Sequence, residues 1–484
     1  MFALPSDRIP GVRPSVLIIM SLLLFGAVGC RTVIIPNTAT FVAPPTVRSS
    51  ETSMTFSSGG RGPPGTGFLA PSTIVQFNDF SKPSYFGWSW TSDGINWNYC
   101  NAVIPGCGGT GVPVPLAAGQ ANWRGDPGIA AASDQSGIVV ATQLANSVGD
   151  SGDPNMIVAS LSFDGGRTFT STVHVNDAGC SNGDQDQQAV AADPTTQPTT
   201  FWFVWRHNGA AWTGGGTYGA CVRGGTVNPV TRAIDWLGPS EDVENLDRTP
   251  FWGVGGLLVQ AGRGALTVAY SNTDHIFDDC SAGKEVRWFT VTSTNNGVDW
   301  TPSHEVYDTQ IFGWCAASDR LLNTLRAFGF VRDATGAYWM AVHDSPGTVK
   351  VFVSTDTGAT WLESVTLRTG NDLLFPTVAT DFEMRDSVSV IGATADGTEL
   401  IQRFASTGRD VNGPPVDRRW WGLQSVSSSA SVPAGMASRG AGDFNGATGV
   451  LQIASPSSNE TFAVAFTTMQ PIPRVTVVFI RVTE

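Results

Sequence analysis

The sequence predicts an all-β fold built from six repeated units of four strands, and two observations favour it. The chain has 55 Gly and 29 Pro among its 484 residues, which is typical of short strands joined by turns rather than of a helical bundle. A polar motif that ends in an aromatic residue recurs at intervals of about 60–70 residues, close to the length of one four-stranded unit.

The motif reads Ser-x-Asp/Asn-x-Gly-x-x-aromatic, and each position has a physical use. Short polar side chains hydrogen-bond the backbone of a turn, glycine accepts a positive φ, and the aromatic ring packs between sheets. The complete copies are Ser162, Asp164, Gly166 and Phe169; Ser293, Asn295, Gly297 and Trp300; and Ser354, Asp356, Gly358 and Trp361. Weaker copies end at Trp97, Trp236 and Trp420, which brings the number of predicted units to six.

The motif resembles the Asp-box, or bacterial neuraminidase repeat, of the sialidase superfamily of β-propellers. The resemblance implies that each box caps the turn between the third and fourth strands of a blade. It also implies a six-bladed, sialidase-like β-propeller of four-stranded antiparallel blades over residues 68–484. We expect the C-terminal strands to share a blade with strands near Ile74 and Phe86, so that both termini close the ring. Seven blades are the alternative, if these terminal segments form separate blades.

The first 30 residues predict export. An arginine-containing start precedes an apolar run over residues 16–25, and small residues then lead to Cys30 in a pattern similar to a lipobox. We expect an export signal over residues 1–29, lipidation of Cys30, and a flexible linker over residues 30–67, which are rich in Thr, Pro, Ser and Gly. Plain secretion is the alternative. Either route places the protein at the bacterial cell envelope or outside the cell.

The other cysteines are even in number, as expected where disulfides persist: they are Cys100, Cys107, Cys180, Cys221, Cys280 and Cys315. A short loop makes Cys100–Cys107 the simplest pair, Cys280–Cys315 is the second choice, and the pairing otherwise stays open. Neither the cysteines nor the histidines have metal-site spacing, so no metal site is predicted. Ca²⁺ remains an option for the Asp-rich loops 149–153 and 183–186.

Candidate site residues lie before six predicted innermost strands, which begin near residues 126, 188, 252, 327, 375 and 443. In a propeller these loops surround the mouth of the central channel. Catalytic candidates, as an acid and a base, are Asp126, Asp184, Asp186 and Asp443. Ligand-binding candidates are Arg124, Asp247, Arg248, Asp319, Arg320, Arg326, Asp372 and Arg439. The alternative is that these residues only stabilise solvated turns.

The net charge and the positions of the tyrosines restrict the functions that the sequence allows. The net charge of −13 argues against a nucleic-acid partner, which requires clustered basic residues. The sialidase resemblance implies a tyrosine nucleophile late in the chain, but the last tyrosine here is Tyr338. We therefore expect a glycan- or protein-binding surface module without a cofactor, attached to the membrane through its lipid anchor. The alternative is a glycoside hydrolase that uses channel-mouth carboxylates.

Overall fold

The structure, a computed structural model, is all-β. It describes residues 32–34, 40–47, 49–61, 68–80, 85–107, 113–149, 155–180, 185–208, 218–246, 254–273, 284–311, 328–345, 348–368, 373–380, 388–395, 400–406, 420–427, 446–449, 459–468 and 474–483. Within these ranges, no helix has the length and hydropathy that crossing a bilayer requires.

The strands are numbered in the order in which they follow one another along the chain. The first are β1 (Thr32–Ile34), β2 (Thr40–Phe41), β3 (Ser49–Ser57), β4 (Gly60–Arg61), β5 (Phe68–Leu69), β6 (Ser72–Asp79), β7 (Phe86–Thr91), β8 (Asn98–Asn101), β9 (Gln120–Trp123), β10 (Gly128–Ala131), β11 (Val139–Ser147), β12 (Met156–Ser162) and β13 (Ser171–His174). The middle strands are β14 (Gln185–Ala192), β15 (Thr200–Asn208), β16 (Tyr218–Asn228), β17 (Ala233–Trp236), β18 (Glu241–Asp242), β19 (Val254–Gly262), β20 (Ala265–Thr273), β21 (Lys284–Ser293) and β22 (His304–Ile311). The last are β23 (Gly329–Arg332), β24 (Tyr338–Ser345), β25 (Thr348–Ser354), β26 (Leu362–Arg368), β27 (Leu373–Thr380), β28 (Val388–Ala395), β29 (Leu400–Ser406), β30 (Trp421–Ser427), β31 (Gly446–Gly449), β32 (Asn459–Thr468) and β33 (Arg474–Thr483).

Antiparallel hydrogen bonding joins these strands into seven sheets of four or five strands and one two-stranded ribbon. Six of the seven follow the chain: β3-β6-β7-β8, β10 to β13, β14 to β17, β19 to β22, β23 to β26, and β27 to β30. The seventh, β1-β33-β32-β31, joins both termini, and β2, β9 and β18 add further pairings to β33, β11 and β16.

The sheets are arranged in a ring around their inner strands. Strands β3, β10, β14, β19, β23, β27 and β31 contact one another in that order, and β31 contacts β3 again. Sheets that pack side by side in a closed cycle around their inner strands form a β-propeller, which leaves only short sheet edges. Six of these inner strands overlap the predicted ones; β3 is the additional strand.

The expectation of six blades is wrong, because the terminal segments do not share a sheet with the strands at Ile74 and Phe86. The strand at Ile74 pairs with β3, and the strand at Phe86 pairs with the strand at Ile74. Strand β3 lies in the segment expected to be a flexible linker. Met54 and Phe56 of β3 alternate with polar residues and are buried in one cluster with Phe77. This period-two burial fixes β3 as a strand although serine and threonine dominate its sequence.

The three complete copies of the motif form the same turn, which we call the box turn, each between the third and fourth strands of a sheet. The serine Oγ accepts a hydrogen bond from the glycine N–H at 2.9 Å in all three. The Asp or Asn Oδ1 accepts one from a backbone N–H further along the turn, also at 2.9 Å. Gly166, Gly297 and Gly358 have φ values of 79°, 84° and 87°, so the glycine supplies a left-handed residue.

The aromatic end of the box packs against the preceding sheet. Phe169 is fully buried, and its ring centroid lies 5.0 Å from that of Trp88 and 5.6 Å from that of Phe86, both in β7. In the same turn, Ser72 donates a hydrogen bond to the Gly165 carbonyl at 2.5 Å. The box therefore joins neighbouring sheets as well as neighbouring strands.

The weaker copies differ in detail. In the turn after β7, Thr91 replaces the serine and accepts from the Gly94 N–H at 3.0 Å. Trp236 lies inside the fourth strand of its sheet, and Trp420 directly precedes β30. These two aromatic residues mark fourth strands but do not end a box turn.

Candidate functional site

Each inner strand begins at the same end of its sheet, which we call the mouth end, and the predicted site residues that the structure describes lie there. The opposite end, where the third strand turns into the fourth, is the box end. Of the predicted residues, the described part of the chain contains Arg124, Asp126 and Asp186. The others lie outside the described residues: Asp184, Asp247, Arg248, Asp319, Arg320, Arg326, Asp372, Arg439 and Asp443.

Asp126 joins two neighbouring sheets at their inner strands. It precedes β10 with a φ of 62°, and its Oδ2 accepts a hydrogen bond from the backbone N–H of Gln187 in β14 at 3.3 Å. The Gln188 amide donates to the Asp126 carbonyl. Burial raises the pKa of Asp126, although the Gln187 N–H and the charge of Arg206 oppose the increase. The environment therefore favours the protonated carboxyl group, as required of a proton donor.

Asp186 forms an ion pair with Arg206. The two residues face each other across β14 and β15, and the Arg206 guanidinium contacts Asp186 Oδ2. The arginine side chain is 8% exposed and the aspartate 30% exposed, so the carboxylate is the more accessible partner. An anion on the inner strand β14 and a cation on the second strand β15 are thus paired beside Asp126.

The backbone at this point departs from regular β structure. The register between β14 and β15 shifts between Asp186 and Ala189, and Gln187 has a φ of 52°. Inner strands β3, β19 and β27 have similar register shifts near their starts. Bulges redirect side chains at strand ends and are common near binding sites, so the mouth end presents its polar groups through irregular backbone.

Arg124 is held by amides. Its Nε donates to Asn146 Oδ1 at 2.9 Å, and its carbonyl accepts from Gln143 Nε2 at 2.9 Å. Asn146 and Gln143 are buried. Arg124 is only partly buried, so part of its side chain remains accessible at the same end of the propeller.

Sequence reasoning missed Arg206, Gln187 and Gln188. Arg206 follows the apolar run 201–205 at the end of a second strand, whereas the sequence search covered only the loops before inner strands. The sequence did contain a signal for Arg206, because it is a charged residue at the end of an apolar strand. Such a residue is rarely buried without a partner, so a nearby carboxylate could have been expected.

A tyrosine also lies next to a carboxylate and a cation in the described region. Tyr307 donates a hydrogen bond to Asp344, and Lys350 Nζ lies 4.4 Å from the centre of the tyrosine ring. Burial and the bond to Asp344 raise the pKa of Tyr307, which outweighs the effect of Lys350. The raised pKa favours the neutral phenol over the phenolate.

Two disulfides occur in the described region. Cys100–Cys107, the first predicted pair, is confirmed, and Cys180 pairs with Cys221. The predicted pair Cys280–Cys315 and the lipidation candidate Cys30 lie outside the described residues, as does most of the two loops considered for Ca²⁺.

No protein-family model matches this chain, and no curated protein matches it. Similar solved structures include a GH93 α-L-arabinofuranosidase of Fusarium graminearum in complex with arabinobiose, with a TM-score of 0.44, 12% identity and coverage of 75% of this chain and 93% of that chain. A Dyadobacter fermentans protein of unknown function has a TM-score of 0.43 and 12% identity, with coverage of 74% and 94%.

Trypanosoma rangeli sialidase is a further similar structure, with a TM-score of 0.41 and 13% identity. The match covers 74% of this chain and 54% of the sialidase, so this chain spans about half the length of that enzyme. At such identities the similarity concerns the fold and does not extend to a substrate.

Proposed function

We propose that this protein is a glycan-binding β-propeller whose ligand site lies at the mouth end around Asp126, Asp186 and Arg206. The observation that supports it is the ion pair of Asp186 and Arg206 beside the partly buried carboxyl group of Asp126, at the adjoining ends of two neighbouring sheets. Carboxylates, guanidinium groups and amides are the groups that bind sugar hydroxyls or acidic sugars with defined orientation.

The backbone supports a preorganised site. Asp126 and Gln187 both have left-handed φ values, which cost free energy in residues other than glycine. The Gln187 N–H and the Gln188 amide hold Asp126 in this conformation. A site fixed in this way loses little conformational entropy when a ligand binds.

The test is binding of the purified protein to a glycan array, followed by calorimetric titration with any glycan that binds. Asp186→Asn is expected to weaken binding by about tenfold or more, because a hydrogen bond to a charged group contributes about 1.5–3 kcal/mol. The matched control is Asp356→Asn, which removes a carboxylate from the box end and should leave affinity unchanged. Failure to bind any glycan, or equal affinity in Asp186→Asn, would contradict the proposal.

A second candidate function is glycoside hydrolysis, and the raised pKa of Asp126 favours it. A carboxyl group that stays protonated can act as a general acid for the leaving sugar. Turnover of aryl glycosides should fall as pH rises through the pKa of Asp126, and Asp126→Asn should abolish it. This function is rejected if the wild-type protein hydrolyses none of a broad panel, or if Asp126→Asn retains full turnover.

Asp126 also predicts a pH effect on stability. Because its pKa is raised in the folded state, the folded protein binds more protons than the unfolded chain between the ordinary aspartate pKa of about 3.9 and the raised value. The contribution of Asp126 to the free energy of unfolding should therefore fall as pH rises through this window. Urea unfolding at several pH values should show that Asp126→Asn lacks this pH-dependent contribution to the free energy of unfolding. An unchanged pH dependence in the variant would contradict the raised pKa of Asp126.

We further propose that the seven sheets are seven blades and that the three complete turns are Asp-boxes of the sialidase-like type. The shared hydrogen bonds of the turns and the closed cycle of inner strands support this assignment.

We also propose that the protein is exported and lipid-anchored through Cys30 at the bacterial cell envelope, on the strength of the apolar run and the small residues before that cysteine. Metabolic labelling with a fatty-acid analogue should mark the wild-type protein and not Cys30→Ala. Secretion of an unlabelled wild-type protein would support the plain signal-peptide alternative instead.

A further inference from the structure

Four potential metal ligands meet at the mouth end of the sheet formed by β14 to β17. The ligand atoms of Cys180, His207, Cys221 and Asp242 all lie within 4.8 Å of one another. Cys180 lies in the turn before β14, and the other three residues lie in β15, β16 and β18. The two sulfur atoms are joined as a disulfide. Because each ligand comes from a different segment, no metal-site spacing is visible in the sequence.

Two distances within this cluster match the edges of a tetrahedral ion site, and the two sulfur atoms have to separate before both can bind an ion. Asp242 Oδ1 lies 3.3 Å from His207 Nε2 and 3.4 Å from Cys180 Sγ. Around a zinc ion with bonds of about 2.0–2.3 Å, neighbouring ligand atoms are about 3.3–3.8 Å apart. Both cysteines are buried, whereas the Asp242 side chain is 63% exposed. An ion would therefore have apolar surroundings on its sulfur side and a route from solvent on the carboxylate side.

The surrounding residues hold this cluster in place. A methyl group on Gly219 would lie 2.3 Å from His207 Nε2, so the absence of a side chain there gives the imidazole its position. Asp177 forms an ion pair with Arg223 at 3.0 Å and accepts a hydrogen bond from the Ser240 N–H at 3.2 Å. These contacts fix the turn that contains Cys180 beside the strand that contains Asp242.

We infer that reduction of the Cys180–Cys221 disulfide creates a Zn²⁺ site from the two thiolates, His207 and Asp242. A phosphine reductant breaks the S–S bond with one water molecule, which yields two thiols and the phosphine oxide. Zn²⁺ then displaces the two thiol protons and accepts electron pairs from both thiolates, the His207 nitrogen and the Asp242 carboxylate. Phosphine reduction followed by Zn²⁺ binding would thus convert the disulfide into a metal-bound form.

The test is titration of the full chain with Co²⁺, whose visible bands report tetrahedral coordination and whose near-ultraviolet bands report thiolate ligands. The phosphine-reduced protein is expected to bind one equivalent with both sets of bands, and Zn²⁺ should displace the cobalt. The oxidised protein should show neither set. Near-ultraviolet circular dichroism of the tryptophans, recorded before metal is added, checks that the reduced protein stays folded.

Two variants in which no cysteine is changed distinguish metal binding at this site from metal binding at other thiols. His207→Ala and Gly219→Ala should each weaken Co²⁺ binding by more than about tenfold. The matched control, Cys100→Ser with Cys107→Ser, removes the other described disulfide and should bind like the wild type. Absence of thiolate bands in the reduced wild-type protein, unfolding on reduction, or equal affinity in His207→Ala would each overturn the inference.

Discussion

The box end and the mouth end of the sheets are built in different ways. A box turn satisfies its own polar groups: Ser354 and Asp356 accept hydrogen bonds from the N–H groups of Gly358 and Thr360, each at 2.9 Å. At the mouth end, contacts join distant segments, as where Gln187 donates to Asp126. Because the contacts of a box turn lie within a few residues, the turn recurs as a sequence motif. The contacts at the mouth end join residues that are far apart in the chain, so they leave no repeated sequence pattern.

The pKa values of the carboxylates at the two ends are shifted in opposite directions. Burial opposes the charge of Asp356, but hydrogen bonds from Thr360 and Ser354 outweigh it and lower its pKa. Burial dominates at Asp126 and raises its pKa. Asp356 is exposed and accepts several hydrogen bonds from its own turn, which stabilise the ionised form, whereas Asp126 is more buried and accepts one from Gln187.

The largest effect is expected from removing a buried aromatic ring at the box end. Phe169→Ala leaves a cavity between two sheets and should lower the free energy of unfolding by about 3–5 kcal/mol. Trp361→Ala should cost less, because Trp361 is only partly buried. Urea unfolding of both variants measures this. A loss below about 1 kcal/mol for Phe169→Ala would mean that the box does not hold the sheets together.

At the mouth end, Arg206→Met should destabilise the protein by about 2 kcal/mol, because Asp186 would lose its ion-pair partner in a partly buried place. Adding Asp186→Asn to that variant should restore part of the loss. The two single variants and the double variant form a cycle that measures the coupling between the side chains. Additive effects would show that the pair contributes nothing to the stability of this end.

A smaller effect is expected when a box serine is removed. Ser354→Ala leaves the buried Gly358 N–H without its acceptor and should cost about 1–2 kcal/mol. Ser162→Ala and Ser293→Ala should cost the same within about 0.5 kcal/mol, because their hydrogen bonds have the same lengths. Thr355→Ala, an exposed position in the same turn, is the control. Three unequal losses would mean that the boxes are not equivalent.

The smallest effect is the acid dependence of one box carboxylate. Because the pKa of Asp356 is lowered in the folded state, its contribution to stability is complete above the unfolded pKa of about 3.9. That contribution is lost as pH falls through the folded value. Asp356→Asn should remove this component, and Asn295 already occupies the same position in another box. Thermal unfolding should be measured between roughly pH 2 and 6, which brackets the folded and unfolded pKa values of Asp356. The stability of the variant should fall less steeply with decreasing pH than that of the wild type. An equal fall in both proteins would contradict the lowered pKa of Asp356.

The extent of sequence prediction follows from the same distinction between local and distant contacts. The box residues and six inner strands were predictable, because turn chemistry and period-two burial are local properties. Strand β3 was missed, because serine and threonine hid the alternation of Met54 and Phe56 and suggested a linker. The error in blade number followed directly, since the strands at Ile74 and Phe86 needed β3 as their inner neighbour.

The candidate site was predictable only in part. Asp126 and Asp186 could be named, because an aspartate before an inner strand lies at the channel mouth in any propeller. Arg206 could not, because its pairing depends on the register of β14 against β15. The same holds for the cluster around Cys180 and Cys221, whose pairing the sequence left open.

The amino-acid sequence determines the all-β class, the box turns and the general position of the mouth end, since these follow from backbone preferences within a few residues. The tertiary structure decides the number of sheets and the partner of each charged residue. It also decides that two cysteines lie beside His207 and Asp242. Closing seven sheets around their inner strands brings together segments that lie far apart in the chain. Burial between those segments then sets the charge of groups such as Asp126.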